Sequence, residues 1–238
     1  PAGPHHQLGH AHADHLSFEL WHEGKKLIVD SGNLTYQPGE TRQYHRGTAA
    51  HNTVRIDGQD SLETWSAFRV GRRPTRHAAR TVEQTDKRIQ WFGQHNGYLH
   101  LRGSPTHKRW FTLTNGSVRI SDLIAGEGQH TIEIFLHFHP DWQVEPWDSR
   151  KDAITSDNGD ISGSFPSGYR TKRWRWMAKS CEKPTGCVTI AWPINACMEP
   201  ELNTFTFAPR QDCPESGQVI VVQGKCELPV WLFCVLSS

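Results

Sequence analysis

The sequence predicts an all-β protein, a multi-stranded antiparallel β-sandwich with little helix, forming one domain over residues 1–238. Three observations carry this. Apolar and polar residues alternate with a period of two wherever a pattern is visible. The alternating runs are short and recur at regular spacing, as in sandwiches and barrels. Only one stretch has helical signals, and it covers at most two turns.

In chain order, HLSFELWH (15–22) places Leu16, Phe18 and Leu20 on one face and Ser17, Glu19 and Trp21 on the other, a half-buried strand. Glu23-Gly24 then turns the chain into KKLIVDSG, and the pair reads as a hairpin. A strand at 53–57 ends at the turn pair Asp57-Gly58. Further strands are expected at 89–92, 98–102, 109–114, 118–122, 130–139, 173–179, 187–192, 204–208, 219–223 and 230–236. The helical stretch is DSLETWSAFRV (60–70), where Asp60 and Glu63 are spaced like a capping box. SDNGDISGSFPSG (156–168) reads as a surface loop, and a domain break there is not required.

A chain of 238 residues can bury a substantial core without staples. Its 26 basic and 25 acidic side chains give a net charge of +1, which excludes a protein held to a polyanion by bulk charge, so any anion site must be local. Fifteen histidines make charge strongly pH-dependent near neutrality. Ten tryptophans against four tyrosines suit either stacking on sugars or bases, or a Trp-rich core. The longest apolar run, 229–236, falls far short of the ~20 residues that span a bilayer, and nucleic acid and membrane partners are not expected. Residue 1 is proline and the first fifteen residues lack signal-peptide regions, so a piece of a longer protein is expected. All six cysteines fall after residue 180 at spacings that match no metal knuckle, and Cys197 and Cys234 sit among apolar residues, as buried free thiols do.

The richest ligand cluster is Gly9-His10-Ala11-His12-Ala13-Asp14-His15. In extended backbone, i and i+2 share a face about 6.6–6.8 Å apart, so His10 and His12 are expected to face one cavity in neighbouring roles. Asp30, after the apolar run LIV, needs a partner or a cation to stay charged, and His51 lies at the mouth of the next strand with Thr48 and Asn52 beside it to orient its ring. His12, Asp30 and His51 are therefore candidate ligands of a divalent metal, against the alternative of hydrogen-bonded structural histidines. His137 and His139 alternate onto one face, either lining a groove or simply forming the wet side of a strand. Arg69, Arg72, Arg73, Arg76 and Arg80 form a basic stretch, and RTKRWRW (170–176) interleaves cations with indoles, suited to acidic sugars or to solvated edge strands. No HExxH helix, GxSxG elbow, GxGxxG turn or Walker loop occurs, which removes the common zinc-protease, serine-hydrolase, dinucleotide and P-loop readings.

The segments GHAHADHLSFEL, LIVDSG, RGTAAHNTV followed by IDG, and ETWSAFRVGRRP resemble in order and spacing the C-terminal half of heparinase II/III-like bacterial polysaccharide lyases. The likeness is carried by residues 3–73, with a fainter echo in HKRWFTLTNGSVRISDLI and FLHFHPDW. It implies a β-sandwich that lacks an N-terminal α/α toroid and cleaves uronic-acid-containing polysaccharide, such as glycosaminoglycan or alginate, by β-elimination. It implies a catalytic role for His10 and zinc on His12, Asp30 and His51. Tyr36, Arg42 and Arg46, on the loop between two metal ligands, are expected to contact the sugar. A periplasmic or secreted location and a homodimer are further expectations. Two other classes stay open: a zinc-dependent hydrolase, with no well-placed Glu base, and a non-catalytic carbohydrate-binding sandwich.

Overall fold

The computed structural model describes residues 8–146, 171–180, 184–193 and 196–237. In chain order it contains β1 (Leu20–His22), β2 (Lys25–Ile28), the helix α1 (Glu40–Arg46), β3 (Val54–Ile56), β4 (Thr64–Trp65), β5 (Arg69–Val70), β6 (His77–Gln84), β7 (Arg88–His95), β8 (Thr106–Thr114), β9 (Ser117–Ala125), β10 (Gln129–Phe138), β11 (Trp142–Pro146), β12 (Thr171–Ser180), β13 (Pro184–Pro193), β14 (Cys197–Phe207), β15 (Glu215–Glu227) and β16 (Val230–Ser237).

Two large sheets result among the described residues, both antiparallel. One has six strands in the order β1-β2-β10-β15-β14, with β3 sharing an edge of β10; the other has eight in the order β11-β12-β13-β16-β9-β8-β7-β6. Between them lies the main core, in which Ile28, Ile132, Ile134, Phe138, Ile220 and Val222 face Trp142, Trp176, Val188, Ile190, Leu232 and Ile120. The other face of the six-stranded sheet is also covered: Val29, Phe135, Phe205, Val219 and Val221 form a second cluster with Ala49 packed on it. Burial on both faces is why β15 reads VIVV without alternation. The loop segment after β2, including α1, thus has a sheet face to sit on, and the candidate ligands follow it there.

The turn pairs behave as their chemistry requires. Glu23-Gly24 and Asp57-Gly58 all have positive φ, at 48°, 79°, 52° and 65°, the backbone of a tight hairpin reversal. Other expectations are corrected. Only Leu20–His22 of the first expected strand is extended. Before it, Leu16 turns at φ 63°, and the carbonyls of His15 and Leu16 accept from Thr53 Oγ1 and Arg109 Nη1 rather than from a ladder. Residues 98–102 form consecutive tight turns, with the buried Tyr98 hydroxyl donating to the Val54 carbonyl at 2.7 Å.

Residues 60–70 are not helical but hold the small β4–β5 hairpin. Both capping-box carboxylates serve elsewhere: Asp60 accepts from the Thr48 amide at 2.8 Å and Glu63 from the Arg72 amide at 2.9 Å. The helix lies instead at α1, seven residues long, whose buried face is Arg42, His45 and Arg46. Its i, i+3, i+4 stripe is polar, so no apolar periodicity announces it. β6 was not expected because nearly all of its residues are exposed at the sheet edge, which leaves no alternation to read. The expected loop at 156–168 lies outside the described residues. Among those described, Cys187, Cys197, Cys213, Cys226 and Cys234 are free thiols; Cys226 and Cys234 are buried, but Cys197, on edge strand β14, is exposed.

Candidate functional site

The chain enters the site through a short 3₁₀ turn, Leu8–His10, rather than an extended strand. Ala11 and Ala13 then pack inward with Leu62, small enough to let the loop lie close. The Ala13 amide donates to the Arg46 carbonyl at 2.8 Å, and Arg46 Nε donates to the Ala11 carbonyl at 3.2 Å. The 3₁₀ turn sends the two histidines to different neighbours. His10 is exposed, its ring edge-on to Tyr36 at 5.6 Å and to Phe68 at 6.1 Å. His12 turns inward, 5.3 Å from the His51 ring. Arg42 touches both groups, with Nη1 3.4 Å from His12 Nε2 and its guanidinium 4.9 Å from the Tyr36 ring.

The three candidate metal ligands are brought together. His51 Nδ1 donates to Asp30 Oδ2 at 2.6 Å, and Asp30 Oδ1 accepts from the Gly32 amide at 2.9 Å. The ring is therefore oriented by Asp30 and not by Thr48 or Asn52, while His51 Nε2 is buried with no hydrogen-bond partner. Burial pushes His12 down to about 3, with the neighbouring His51 charge acting in the same direction and Asp30 opposing, so its ring is neutral with a lone pair available. Burial would raise Asp30, but the hydrogen bond and charge of His51 hold it below its usual range; burial would lower His51, but Asp30 more than offsets this. A buried orphan nitrogen, a neutral imidazole and an ionised carboxylate match the donor types of a zinc site. Their atoms do not surround a common point, because Asp30 closes directly on His51, and no group of three His, Cys, Asp or Glu among the described residues does so.

Arg42 and Arg46 are fully buried. Arg42 donates to the Asn33 side-chain oxygen at 2.6 Å and to the Ala67 carbonyl at 3.1 Å; Arg46 Nη1 donates to the Ser66 carbonyl at 3.2 Å. Burial and the Arg42 charge pull Arg46 down to about 10, still protonated at neutral pH. Both therefore lie within the wall of the site, and of the three expected sugar contacts only Tyr36 reaches the surface.

Two other buried groups position the loops and were not anticipated. Asn52 Nδ2 donates to the Phe18 and Val29 carbonyls, both at 2.8 Å, and its Oδ1 accepts from the His137 amide at 2.8 Å, tying three segments at one residue. His137 is thus buried under this loop, neither in a groove nor on a wet face. From the eight-stranded sheet, Arg109 grips Asp122 with Nε and Nη2 at 2.6 and 2.9 Å, and donates to the carbonyls of Leu16 and Asn52 at 2.8 and 2.6 Å. His107 completes the group, its Nε2 2.7 Å from Asp122 and its Nδ1 3.2 Å from His95. Such residues look like ordinary strand polars in sequence.

The family model for the C-terminal region of heparinase II/III-like proteins matches residues 1–195. The chain belongs to that family. A heparin-sulfate lyase of Bacteroides stercoris is 37% identical over 65 residues, which are 26% of this chain and 10% of the relative. In the solved structure of a heparinase III, 30% of the molecule superposes on 96% of this chain with a TM-score of 0.65 at 19% identity. The heparan sulfate lyase HepC of Pedobacter heparinus superposes over 96% of this chain and 31% of its own, with a TM-score of 0.66 at 15% identity. At those identities the likeness establishes the sandwich fold of this heparinase II/III-like chain, which spans about a third of each solved relative.

Proposed function

We propose that this chain is the C-terminal, zinc-binding domain of a bacterial lyase that cleaves uronic-acid-containing polysaccharide by β-elimination together with an N-terminal α/α toroid. The observation that supports it best is an exposed His10 two residues before the inward-turned His12, which stands against the buried His51 ring held by Asp30. In this reading the uronate C5 proton passes to the His10 imidazole, the C4–O4 bond breaks, a C4=C5 double bond forms, and O4 leaves with a proton from an acid on the toroid. The carboxylate next to C5 must be neutralised for that proton to be acidic enough. Arg42 and Arg46 place positive charge behind His10 without touching the sugar, and Tyr36 forms the surface on which the His10 ring rests.

His12, Asp30 and His51 would hold the zinc, whose role is to fix the loop that carries His10. A polymeric substrate argues for a periplasmic or secreted enzyme. The test uses the full-length enzyme and ultraviolet absorbance, since elimination leaves a double bond conjugated with the carboxylate and hydrolysis leaves none. Heparan sulfate or alginate should give rising absorbance, a neutral glycan no cleavage, and His10→Ala a loss of turnover of about 10²–10⁴. Cleavage of a neutral glycan with no absorbance gain would overturn the lyase and favour the zinc-dependent hydrolase.

A further inference from the structure

The β4–β5 hairpin presents two aromatic rings outward. Phe68 is 50% exposed and Trp65 44%, while Thr64 and Ala67 are buried and Val70 packs on Ala11, Ala13 and Leu62. Half-exposed rings gain only part of the stabilisation of full burial, yet this hairpin is mounted at considerable cost. Three grips come from α1: Gln43 Nε2 donates to the Thr64 carbonyl at 2.7 Å, Arg46 to that of Ser66, and Arg42 to that of Ala67. The two guanidiniums are buried without a carboxylate partner among the described residues, an expensive arrangement. Ser66 is held at φ 55°, a left-handed conformation that a non-glycine residue adopts only when its surroundings impose it.

The mounted ring has a defined setting. Phe68 lies within 10° of parallel to Tyr36, ring centres 6.1 Å apart, and Tyr36 is itself 38% exposed. Beneath them, Arg42 stands 4.9 Å from Tyr36 and 5.9 Å from Phe68. Gly9 passes so close that a side-chain carbon there would sit 3.4 Å from Phe68 Cβ, so the ring is backed by chain on its inner side. Arg69, the next residue, and Arg73, on the chain that leaves the hairpin, are exposed and neither is in an ion pair among the described residues, whereas Arg72 is spent on Glu63 at 3.8 Å.

We propose that Phe68, with Tyr36 beside it and Arg69 and Arg73 at its rim, is a stacking subsite for one acidic sugar unit adjacent to the unit at His10. A flat apolar ring matches the C–H face of a pyranose, and exposed guanidiniums match its carboxylate or sulfate. This assigns Arg42 and Arg46 to positioning: they hold the hairpin that touches the sugar. The inference rests on the polysaccharide reading above and adds the residue that determines which units are held.

The test is binding by this 238-residue chain, without turnover. Calorimetric titration with a heparan sulfate octasaccharide and an alginate octasaccharide separates sulfate from carboxylate recognition, with cellohexaose as the neutral probe. Wild type should bind an acidic probe and not cellohexaose. Phe68→Ala and Phe68→Leu should both weaken binding about tenfold, as expected for the loss of one stacked ring, with the melting temperature unchanged. Phe68→Trp should retain it. Trp21→Ala, an exposed indole at the far hairpin, should bind as wild type. Equal affinity in wild type and Phe68→Ala, full affinity in Phe68→Leu, or no binding of either acidic probe would overturn the subsite; the second would mean the ring is merely an apolar contact, for instance for the toroid. Failure of elimination in the full-length enzyme, with Phe68-dependent binding intact, would strike the reaction and leave the subsite standing.

Discussion

Two of the carboxylate–imidazole pairs in this molecule make a useful contrast: Asp122 and His107 are both buried, whereas His51 is buried and the Asp30 carboxyl is about a third exposed. Asp122 and His107 meet at 2.7 Å, and Asp30 and His51 at 2.6 Å. Around Asp122 every group is used: Arg109 takes both oxygens, and the other nitrogen of His107 meets His95. Around Asp30 the set is open, since His51 Nε2 has no partner and His12 offers a neutral nitrogen nearby. A closed polar group inside a protein is a strut, while an open one carries a desolvation penalty that a ligand would relieve. Identity of residue type is thus a poor guide to role, and the count of unmet donors and acceptors is a better one.

The sharpest way to break this contrast is at the strut. Arg109→Ala leaves Asp122 buried and unpaired and releases the Leu16 and Asn52 carbonyls, so we expect a loss of about 3–5 kcal/mol in denaturant unfolding. Asp122→Asn should cost a similar amount, because it leaves the buried Arg109 guanidinium without its carboxylate. If Arg109→Ala unfolded at the wild-type denaturant concentration, the strut would be no strut.

Acid gives a smaller effect of known sign. Burial would raise Asp122, but the Arg109 charge and the His107 hydrogen bond hold it at about 2. A depressed carboxyl stabilises the fold fully above its ordinary pKa, and that contribution drains away as pH falls from about 4 towards 2, about 2–3 kcal/mol in all. Burial also holds His95 well below its ordinary value and His137 at about 3. Unfolding lets both take up protons below about pH 6.5, so stability should start to decline there, by up to about 1.4 kcal/mol per pH unit for each. Stability measured at a series of pH values should decline in these two stages, and Asp122→Asn should flatten the lower one; stability that rises on acidification from pH 6.5 to 5 would contradict the burial of these rings.

The same contrast explains what the sequence made legible. A strand whose burial alternates, such as β8, could be read from its pattern, and the turn pairs Glu23-Gly24 and Asp57-Gly58 from their own chemistry. His12 stood out in a histidine cluster, Asp30 after an apolar run and His51 at the mouth of a strand, with the family resemblance joining the three, and the fold sets them side by side. Arg42 and Arg46 were expected to contact the sugar from their place on the loop between two ligands; buried arginine is rare, and their stripe with His45 hid α1 as well. Phe68 was missed for a linked reason: once 60–70 was read as a helix, no hairpin tip existed to present it. Arg109 lies 93 residues from the carbonyl it holds at Leu16, and no local pattern encodes such a pairing.

The effect on stability should be smallest at the open pair, yet the account depends on it most. Elemental analysis of purified wild type and His51→Ala tests it directly. The account predicts about one zinc per chain in wild type, held through nitrogen at roughly 2.0–2.1 Å, and none in His51→Ala, which should also melt somewhat earlier. Equal zinc in the two proteins would contradict it.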